Sequence, residues 1–173
     1  SLSYGIHNAT QSIACAGTAK NIHIPLTMTN SAVALVLTPA VDSVESYIVN
    51  TAAGYSFADS TYDFSSPTIV RTSNVLTDDM VASYGICFPS KAEEPVQRAT
   101  WSDTEYWQMH VYVTRGGKTT RNILSVREPL AAGESKILKA TISDDGEIIY
   151  HGAEVSVSVT LDWKPGGDHK IEI

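Results

Sequence analysis

Charged side chains are scarce in this sequence, and basic ones are scarcer than acidic ones. They make up 18% of the 173 residues, with 12 lysines and arginines against 19 aspartates and glutamates and a net charge of −7. The lysines and arginines stand singly, so no basic stripe is available to neutralise the phosphates of a nucleic acid. The composition therefore argues against DNA or RNA as a partner.

Long apolar runs and helical periodicity are also missing. No stretch approaches the roughly 18 consecutive apolar residues that a helix needs to cross a bilayer. No segment repeats its apolar residues every 3.6 positions, which is the sign of an amphipathic helix. The sequence therefore argues against a parallel sheet covered by helices.

Only two cysteines are present, Cys15 and Cys87, and each lies in a short apolar run. One interpretation is two buried free thiols, which pack as small hydrophobic side chains. The alternative is one disulfide that closes a long loop in a protein exported to an oxidising compartment. Neither cysteine has a second cysteine or a histidine at ligand spacing, so we expect no metal site there.

Sequence patterns that carry catalysis are absent as well. The chain has no G-x-S-x-G segment, no H-E-x-x-H segment and no glycine-rich loop between a strand and a helix. Adjacent acids occur at Glu93-Glu94 and Asp144-Asp145, but neighbouring carboxylates in turns do not face each other across a cleft as a glycosidase requires. We therefore expect no catalytic residue, no cofactor and no metal, and a protein that is not an enzyme.

Alternation of apolar and polar residues is what the sequence has in abundance. In Val155–Trp163, valine, leucine and tryptophan alternate with serine, threonine and aspartate, which is typical of an antiparallel strand with one buried face. Ala32–Thr38 is apolar on both faces, which indicates a central strand. Glu105–Thr114 and Lys118–Val126 flank Gly116-Gly117, and this pattern predicts a hairpin with a tight turn.

The whole chain divides into short strands separated by turn residues. This pattern predicts an all-β fold, an antiparallel β-sandwich with Greek-key connections and about 7–10 strands. We expect Ser1–Asn21 to be an N-terminal arm or first strand and residues 22–173 to form a single sandwich domain. Within that domain, Pro25 predicts that the strand Ile22–Met28 lies at an edge or beside a bulge, and Gly85 is a candidate site for a bulge.

Aromatic residues are the best candidates for a binding surface. Trp101, Tyr106 and Trp107 cluster in and beside a long polar loop. Aromatic rings on loops can stack against sugar rings, which favours a carbohydrate-binding surface. The alternative is that Trp107 lies in the inward register of its strand with Met109 and Val111 and belongs to the core.

Three stretches of the chain resemble the fimbrillin superfamily of Bacteroidales, the secreted or lipid-anchored pilus subunits that include an anchor group. The first is IHIPLTMTNSAVALVLTPAVDSVESYIVNTAAG, similar to the opening strands of such domains. The second, WQMHVYVTRGGKTTRNILSVREPLAAGESKILKATISDDGEI, resembles their hairpin and the strand that follows it. The third is the closing VSVSVTLDWKPGGDHKIEI. Together they cover most of the chain.

This resemblance implies a transthyretin-like sandwich at the cell surface, on the outer membrane or outside the cell. A lipid anchor would lie on a residue that is not part of this chain. Pilus assembly in the family inserts a strand of one subunit into the next, a form of β-augmentation. The implied partners are other fimbrial or surface subunits or a second copy. The exchanged segments would be Ile6–Gly17 or His169–Ile173, and the alternative is that both pair within the domain.

The leading hypothesis is thus a non-catalytic fimbrial subunit or anchor-like surface protein, which acts in assembly and adhesion through strand pairing. The alternative is a carbohydrate-binding module of a surface glycan-utilisation system. The triplets Asp42-Ser43-Val44 and Asp59-Ser60-Thr61 resemble the O-glycosylation sites of these bacteria. They make Ser43 and Ser60 candidate modification sites.

Overall fold

The computed structural model describes residues 5–9, 23–92, 106–152 and 157–162, and all regular secondary structure in these ranges is β-strand. Six of the strands have only two or three residues, and the other eight are longer. In chain order the strands are β1 (His7–Asn8), β2 (Thr27–Met28), β3 (Ser31–Thr38), β4 (Ser43–Val49), β5 (Gly54–Ser56), β6 (Thr61–Asp63), β7 (Ile69–Arg71), β8 (Ser73–Leu76), β9 (Val81–Cys87), β10 (Trp107–Arg115), β11 (Lys118–Val126), β12 (Ser135–Ile142), β13 (Ile148–Tyr150) and β14 (Val157–Asp162).

Two five-stranded sheets carry most of these strands. Sheet I has the order β14-β11-β10-β4-β7, and sheet II has the order β13-β12-β3-β9-β8. Their inner faces enclose one apolar core, to which β3, β10, β11 and β12 contribute fully buried side chains. The pairs β1–β2 and β5–β6 form two small additional sheets. The expected all-β sandwich is confirmed.

The period-two pattern of the sequence decides which side chains form the core. In β10, Met109, Val111 and Val113 are fully buried. In β14, Val157 and Val159 pack against the same cluster. Because complete burial of an aliphatic side chain contributes roughly 1.5–3 kcal/mol relative to exposure, a one-residue slip of either strand would exchange this contribution for exposed apolar surface.

The strongest hairpin predicted from the sequence is also present. β10 and β11 pair in an unbroken antiparallel register that closes at Arg115 and Lys118. Gly116 and Gly117 form the turn with φ values of 58° and 74°. Positive φ at both central residues is what a two-residue turn of type I′ requires, and glycine adopts it without steric cost.

Three features of the sheets differ from the expectation. β3 and β12 pair in parallel, whereas an entirely antiparallel sandwich was predicted. Gly85 pairs with Val33 in a continuous register, so the predicted bulge is wrong. A Cβ at Gly85 would lie 3.1 Å from Ile48 Cδ1, and close packing explains the glycine instead. The predicted strand at 22–28 is confined to Thr27–Met28, since Pro25 has no N–H to donate.

Buried polar side chains tie the structure together at two places. The Asn122 side chain in β11 of sheet I donates to the Gly146 carbonyl at 2.9 Å and accepts from the Ile148 N–H at 2.8 Å. Both partners belong to the turn and strand that follow β12 in sheet II. Elsewhere, the hydroxyls of Ser46 and Thr72 lie 2.6 Å apart, where the chain passes from β7 to β8. The polar side chains of Asn122, Ser46 and Thr72 thus have the hydrogen-bond partners that burial requires.

Candidate functional site

The predicted aromatic surface is only partly available for binding. Trp107 is fully buried and its indole N–H donates to the Glu128 carbonyl at 3.0 Å. Its assignment to a binding surface is wrong, because a side chain without exposed area cannot stack on a sugar ring, and the core alternative is confirmed. Tyr106 is partly exposed and lines a cavity described below. Trp101 lies outside the described residues.

The two cysteines differ in what the structure describes. Cys87 is a buried free thiol at the end of β9, and burial raises its pKa to about 12. The neighbouring Thr51 hydroxyl opposes that rise, but it does not meet the geometry of a hydrogen bond to the sulfur. A thiol with this pKa stays protonated and unreactive at neutral pH. Because Cys87 is free, the predicted Cys15–Cys87 disulfide is not formed in this structure. Cys15 itself lies outside the described residues.

Both candidate glycosylation sites are exposed. Ser43 opens β4, and Ser60 lies in the β5–β6 turn with a φ of 59°. The Asp59 carboxylate accepts hydrogen bonds from the backbone N–H and hydroxyl of Thr61 at 3.3 and 2.8 Å, which hold this turn in place. Exposure makes both hydroxyls accessible to a modifying enzyme, and their modification stays a prediction.

No described strand pairs with the outer edge of β12 over most of its length. β13 pairs only with Ala140–Ile142, so no described strand covers Ser135–Lys139, here called the open edge. The Ala32 N–H of β3 donates to the Glu134 carbonyl at 2.9 Å, and successive peptide groups point alternately to the two sides of a strand. The residues whose N–H and C=O groups point away from β3 are therefore Ser135, Ile137 and Lys139.

Inward-pointing side chains of the open edge anchor it to the core of the domain. Leu138 is fully buried, and Lys136 Nζ lies 2.9 Å from Glu134 Oε1 and 3.3 Å from Glu128 Oε2. Ile137, between them, is 58% exposed on the outer face of sheet II. An edge that is fixed on one side and unpaired on the other can accept an additional strand.

The segments predicted for strand exchange fall largely outside the described residues. His169–Ile173 does so entirely, and only the first part of Ile6–Gly17 is described. In that part, β1 pairs with β2, and the Ile6 carbonyl accepts from the Thr29 N–H at 2.7 Å. The beginning of this segment therefore pairs within the domain, as the alternative interpretation expects.

A groove of about 360 Å³ lies on the outer face of sheet I, between β4, β7, β10 and β11. Its charged groups satisfy one another. Arg71 and Glu45 form an ion pair at 2.8 Å, and the Tyr47 hydroxyl donates to Glu45 Oε1 at 2.6 Å. Burial, followed by this hydrogen bond, raises the pKa of Tyr47 to about 12. The Tyr47 and Tyr112 rings meet edge to face. We call this the outer groove.

A second cavity, of about 300 Å³, is here called the end pocket. Four chain segments form it: the end of β4, the connection from β6 to β7, the segment after β9 and the residue before β10. Its lining combines two aromatic rings, one lysine and several hydroxyl groups. The lining residues are Asn50, Thr51, Phe64, Ser65, Ser66, Pro67, Thr68, Lys91 and Tyr106.

Sequence reasoning found Tyr106 but missed the rest of the end pocket. Phe64 and Lys91 are 27 positions apart in irregular segments that show no periodicity. Their common position depends on the order of strands in the sheets. The open edge was also missed, because it exists only where β13 is shorter than β12. A usable signal was the early turn at Asp144-Asp145-Gly146, which is followed by a strand of three residues.

Two negative findings apply to the described ranges. No three histidine, cysteine, aspartate or glutamate side chains come together there as a metal site would require. Nor does any helix in these ranges have the length and apolar character to cross a membrane.

Comparison with solved structures finds several similar chains, of which two are described here. No protein-family model and no curated protein matches the chain. A candidate cell adhesion protein from Bacteroides uniformis is similar at 16% identity and a TM-score of 0.42, over 82% of this chain and 52% of that protein. A second, from Bacteroides fragilis, is similar at 14% identity and a TM-score of 0.41, over 86% and 50%.

The chain therefore spans about half the length of these two proteins. At such TM-scores the likeness carries no argument about function, and the description as cell adhesion proteins belongs to those two proteins. The resemblance to fimbrillins stays an expectation from the sequence.

Proposed function

We propose that this chain is a non-catalytic protein of the cell surface, a fimbrial (pilus) subunit or anchor-like component that acts in assembly and adhesion. It associates by receiving a β-strand from a neighbouring subunit or a second copy along the open edge. The observation that carries the proposal is the row of outward-pointing peptide groups on that edge. The surface location rests on the resemblance to fimbrillins.

A strand added at the open edge would meet an ordered row of peptide groups. β12 is fixed on its inner side by seven residue pairs with β3, so the edge is an ordered template. Main-chain hydrogen bonds to such a template supply affinity, and alternate side chains supply register. Ile137, at the middle of the edge, offers an exposed apolar contact to a side chain of the incoming strand.

The test removes one peptide donor from the open edge. Proline at position 137 removes the outward N–H of Ile137 without breaking a hydrogen bond to β3, and an edge strand tolerates proline at such a position. We expect the wild-type chain to self-associate, or to bind partner subunits, in sedimentation velocity. Ile137→Pro should abolish this association. Ile137→Val, which keeps the donor and most of the apolar surface, is the matched control and should associate as the wild type does.

Lys139→Pro, whose N–H points to the same side, provides a second variant should Ile137→Pro unfold. Deletion of Ser1–Gly17 and deletion of His169–Ile173 identify the donor segment, because loss of the true donor prevents association while the edge stays intact. Association that survives both proline variants, in chains with native circular dichroism, would contradict the proposal.

A further inference from the structure

The end pocket differs from the outer groove in that two of its hydroxyl groups have no hydrogen-bond partner among the described residues. The hydroxyl oxygens of Thr51 and Thr68 are buried and have no hydrogen-bond partner among the described residues. Thr51 is only 2% exposed. A buried hydroxyl left unpaired costs roughly 1–3 kcal/mol. This wall of the cavity therefore holds two hydroxyl groups whose burial no hydrogen bond within the described residues offsets.

Among the described lining residues of the end pocket, the charged side chain is basic. Lys91 lines the cavity, and no acidic side chain is among the described residues that do so. No carboxylate in the described part of the chain forms an ion pair with Lys91. The ammonium group lies 5.9 Å from the centre of the Phe64 ring, within the range of a weak cation–π contact at an exposed site. In a chain with a net charge of −7, this is a local site for an anionic group.

Two aromatic rings supply the apolar part of the cavity. Phe64 and Tyr106 line it from different chain segments, and both are partly exposed. The face of an aromatic ring can pack against the C–H groups of a sugar ring, which leaves the sugar's hydroxyls for polar neighbours. Asn50, Ser65 and Ser66 line the same cavity and offer such donors and acceptors.

We propose that the end pocket binds a sugar residue that carries a carboxylate. The Lys91 ammonium pairs with the carboxylate, Phe64 and Tyr106 pack against the ring, and the amide and hydroxyl side chains bind the sugar hydroxyls. A volume of about 300 Å³ is at the small end of the range for ligand pockets, which suits one sugar residue rather than a long chain. The outer groove offers no such site, because its ions pair with each other.

The experiment titrates the intact chain with methyl glycosides and follows backbone amide resonances by NMR. The probes are the methyl glycosides of glucuronic acid, galacturonic acid and N-acetylneuraminic acid, with methyl glucoside as the neutral counterpart. We expect at least one acidic glycoside to bind about tenfold more tightly than methyl glucoside, since a hydrogen bond to a charged group contributes that much. The shifted resonances should include Phe64 and Tyr106.

Two variants locate the interaction. Lys91→Gln should weaken binding of the acidic glycoside about tenfold, to the level of the neutral one. Lys118→Gln, at the start of β11, changes an exposed lysine that does not line the pocket and should leave binding unchanged. Phe64→Leu should weaken both classes of glycoside, because the packing surface for the ring is lost.

The proposal is overturned if none of the three acidic glycosides binds, if methyl glucoside binds equally well, or if Lys91→Gln has no effect. The result is independent of the strand-pairing proposal. Ile137→Pro should retain glycoside binding, and Lys91→Gln should retain association, so failure of one proposal can be distinguished from failure of the other.

Discussion

At the scale of single residues, the ion pair of Glu134 and Lys136 beside β12 shows how two partly buried charges shift each other's pKa. Burial alone would raise the pKa of Glu134, but the Ala131 N–H at 2.8 Å and the Lys136 ammonium at 2.9 Å together lower it below its ordinary value of 4.5. For Lys136, burial would lower the pKa, and hydrogen bonds to Glu134 and Glu128 raise it instead. Each ion is thus held in its charged form by the other.

This arrangement predicts an acid-sensitive contribution to stability. Because the pKa of Glu134 is lower in the folded state, its stabilising contribution is fully present above the unfolded-state pKa. It is lost as the pH falls through the folded-state value. Glu134→Gln should therefore lower the free energy of unfolding at neutral pH, and its difference from the wild type should shrink below about pH 4.5.

Urea denaturation between pH 3 and pH 7, at roughly unit intervals, provides the measurement. Glu147→Gln, a change at an exposed glutamate in the next turn, is the control and should follow the wild type. A Glu134→Gln difference that is constant over the whole pH range would show that the carboxylate is not stabilised by folding.

At the scale of single elements, the turn between β12 and β13 is the best-defined local structure. Gly146 has a φ of 82°, and its carbonyl accepts from the Thr120 hydroxyl at 2.7 Å and from Asn122 at 2.9 Å. A Cβ at this position would lie 2.5 Å from Thr120 Oγ1. Both the backbone conformation and the contact with sheet I therefore require glycine.

Gly146→Ala should lower the free energy of unfolding by at least about 1–2 kcal/mol, the usual penalty for a left-handed conformation at a non-glycine residue. Gly54→Ala is the matched control, because a Cβ there meets nothing within 4 Å. It should leave stability unchanged or slightly raised. Equal stability of the two variants in chemical denaturation would contradict the structural role of Gly146.

Elements with local signals were predictable, and their long-range pairing was not. The hairpin of β10 and β11 follows from alternation and from Gly116-Gly117, all within 20 residues. The parallel pairing of β3 with β12 joins segments about 100 residues apart, and no local pattern encodes it. The predicted bulge at Gly85 is wrong for the same reason. The close contact that favours glycine there is with Ile48, which lies in the opposite sheet.

In the two candidate sites as well, local features were predictable from the sequence and long-range contacts were not. Tyr106 was recognisable as an aromatic residue beside a polar loop, and Trp107 was recognisable as an alternative core residue from its register. The open edge and the end pocket depend on which strand ends before its neighbour and on which loops meet. Neither the strand ends nor the meeting of the loops can be predicted from the local sequence.

At the scale of the whole molecule, the described residues form one apolar core, and one edge of sheet II lacks a partner strand among them. Buried apolar side chains from both sheets form this core. Ser135–Lys139 is left without a neighbouring strand among the described residues. We therefore propose assembly at the edge of sheet II and ligand binding at the end pocket, two separate places on the domain.

Hydrogen exchange at single residues in the associated protein tests the central claim most directly. In the dilute monomer, the amides of Ser135, Ile137 and Lys139 should exchange rapidly while that of Leu138, bonded to β3, is protected. In concentrated samples or with a partner subunit, the three outward amides should become protected as a strand pairs with them. Association without protection of these amides, or no association at all, would contradict the account.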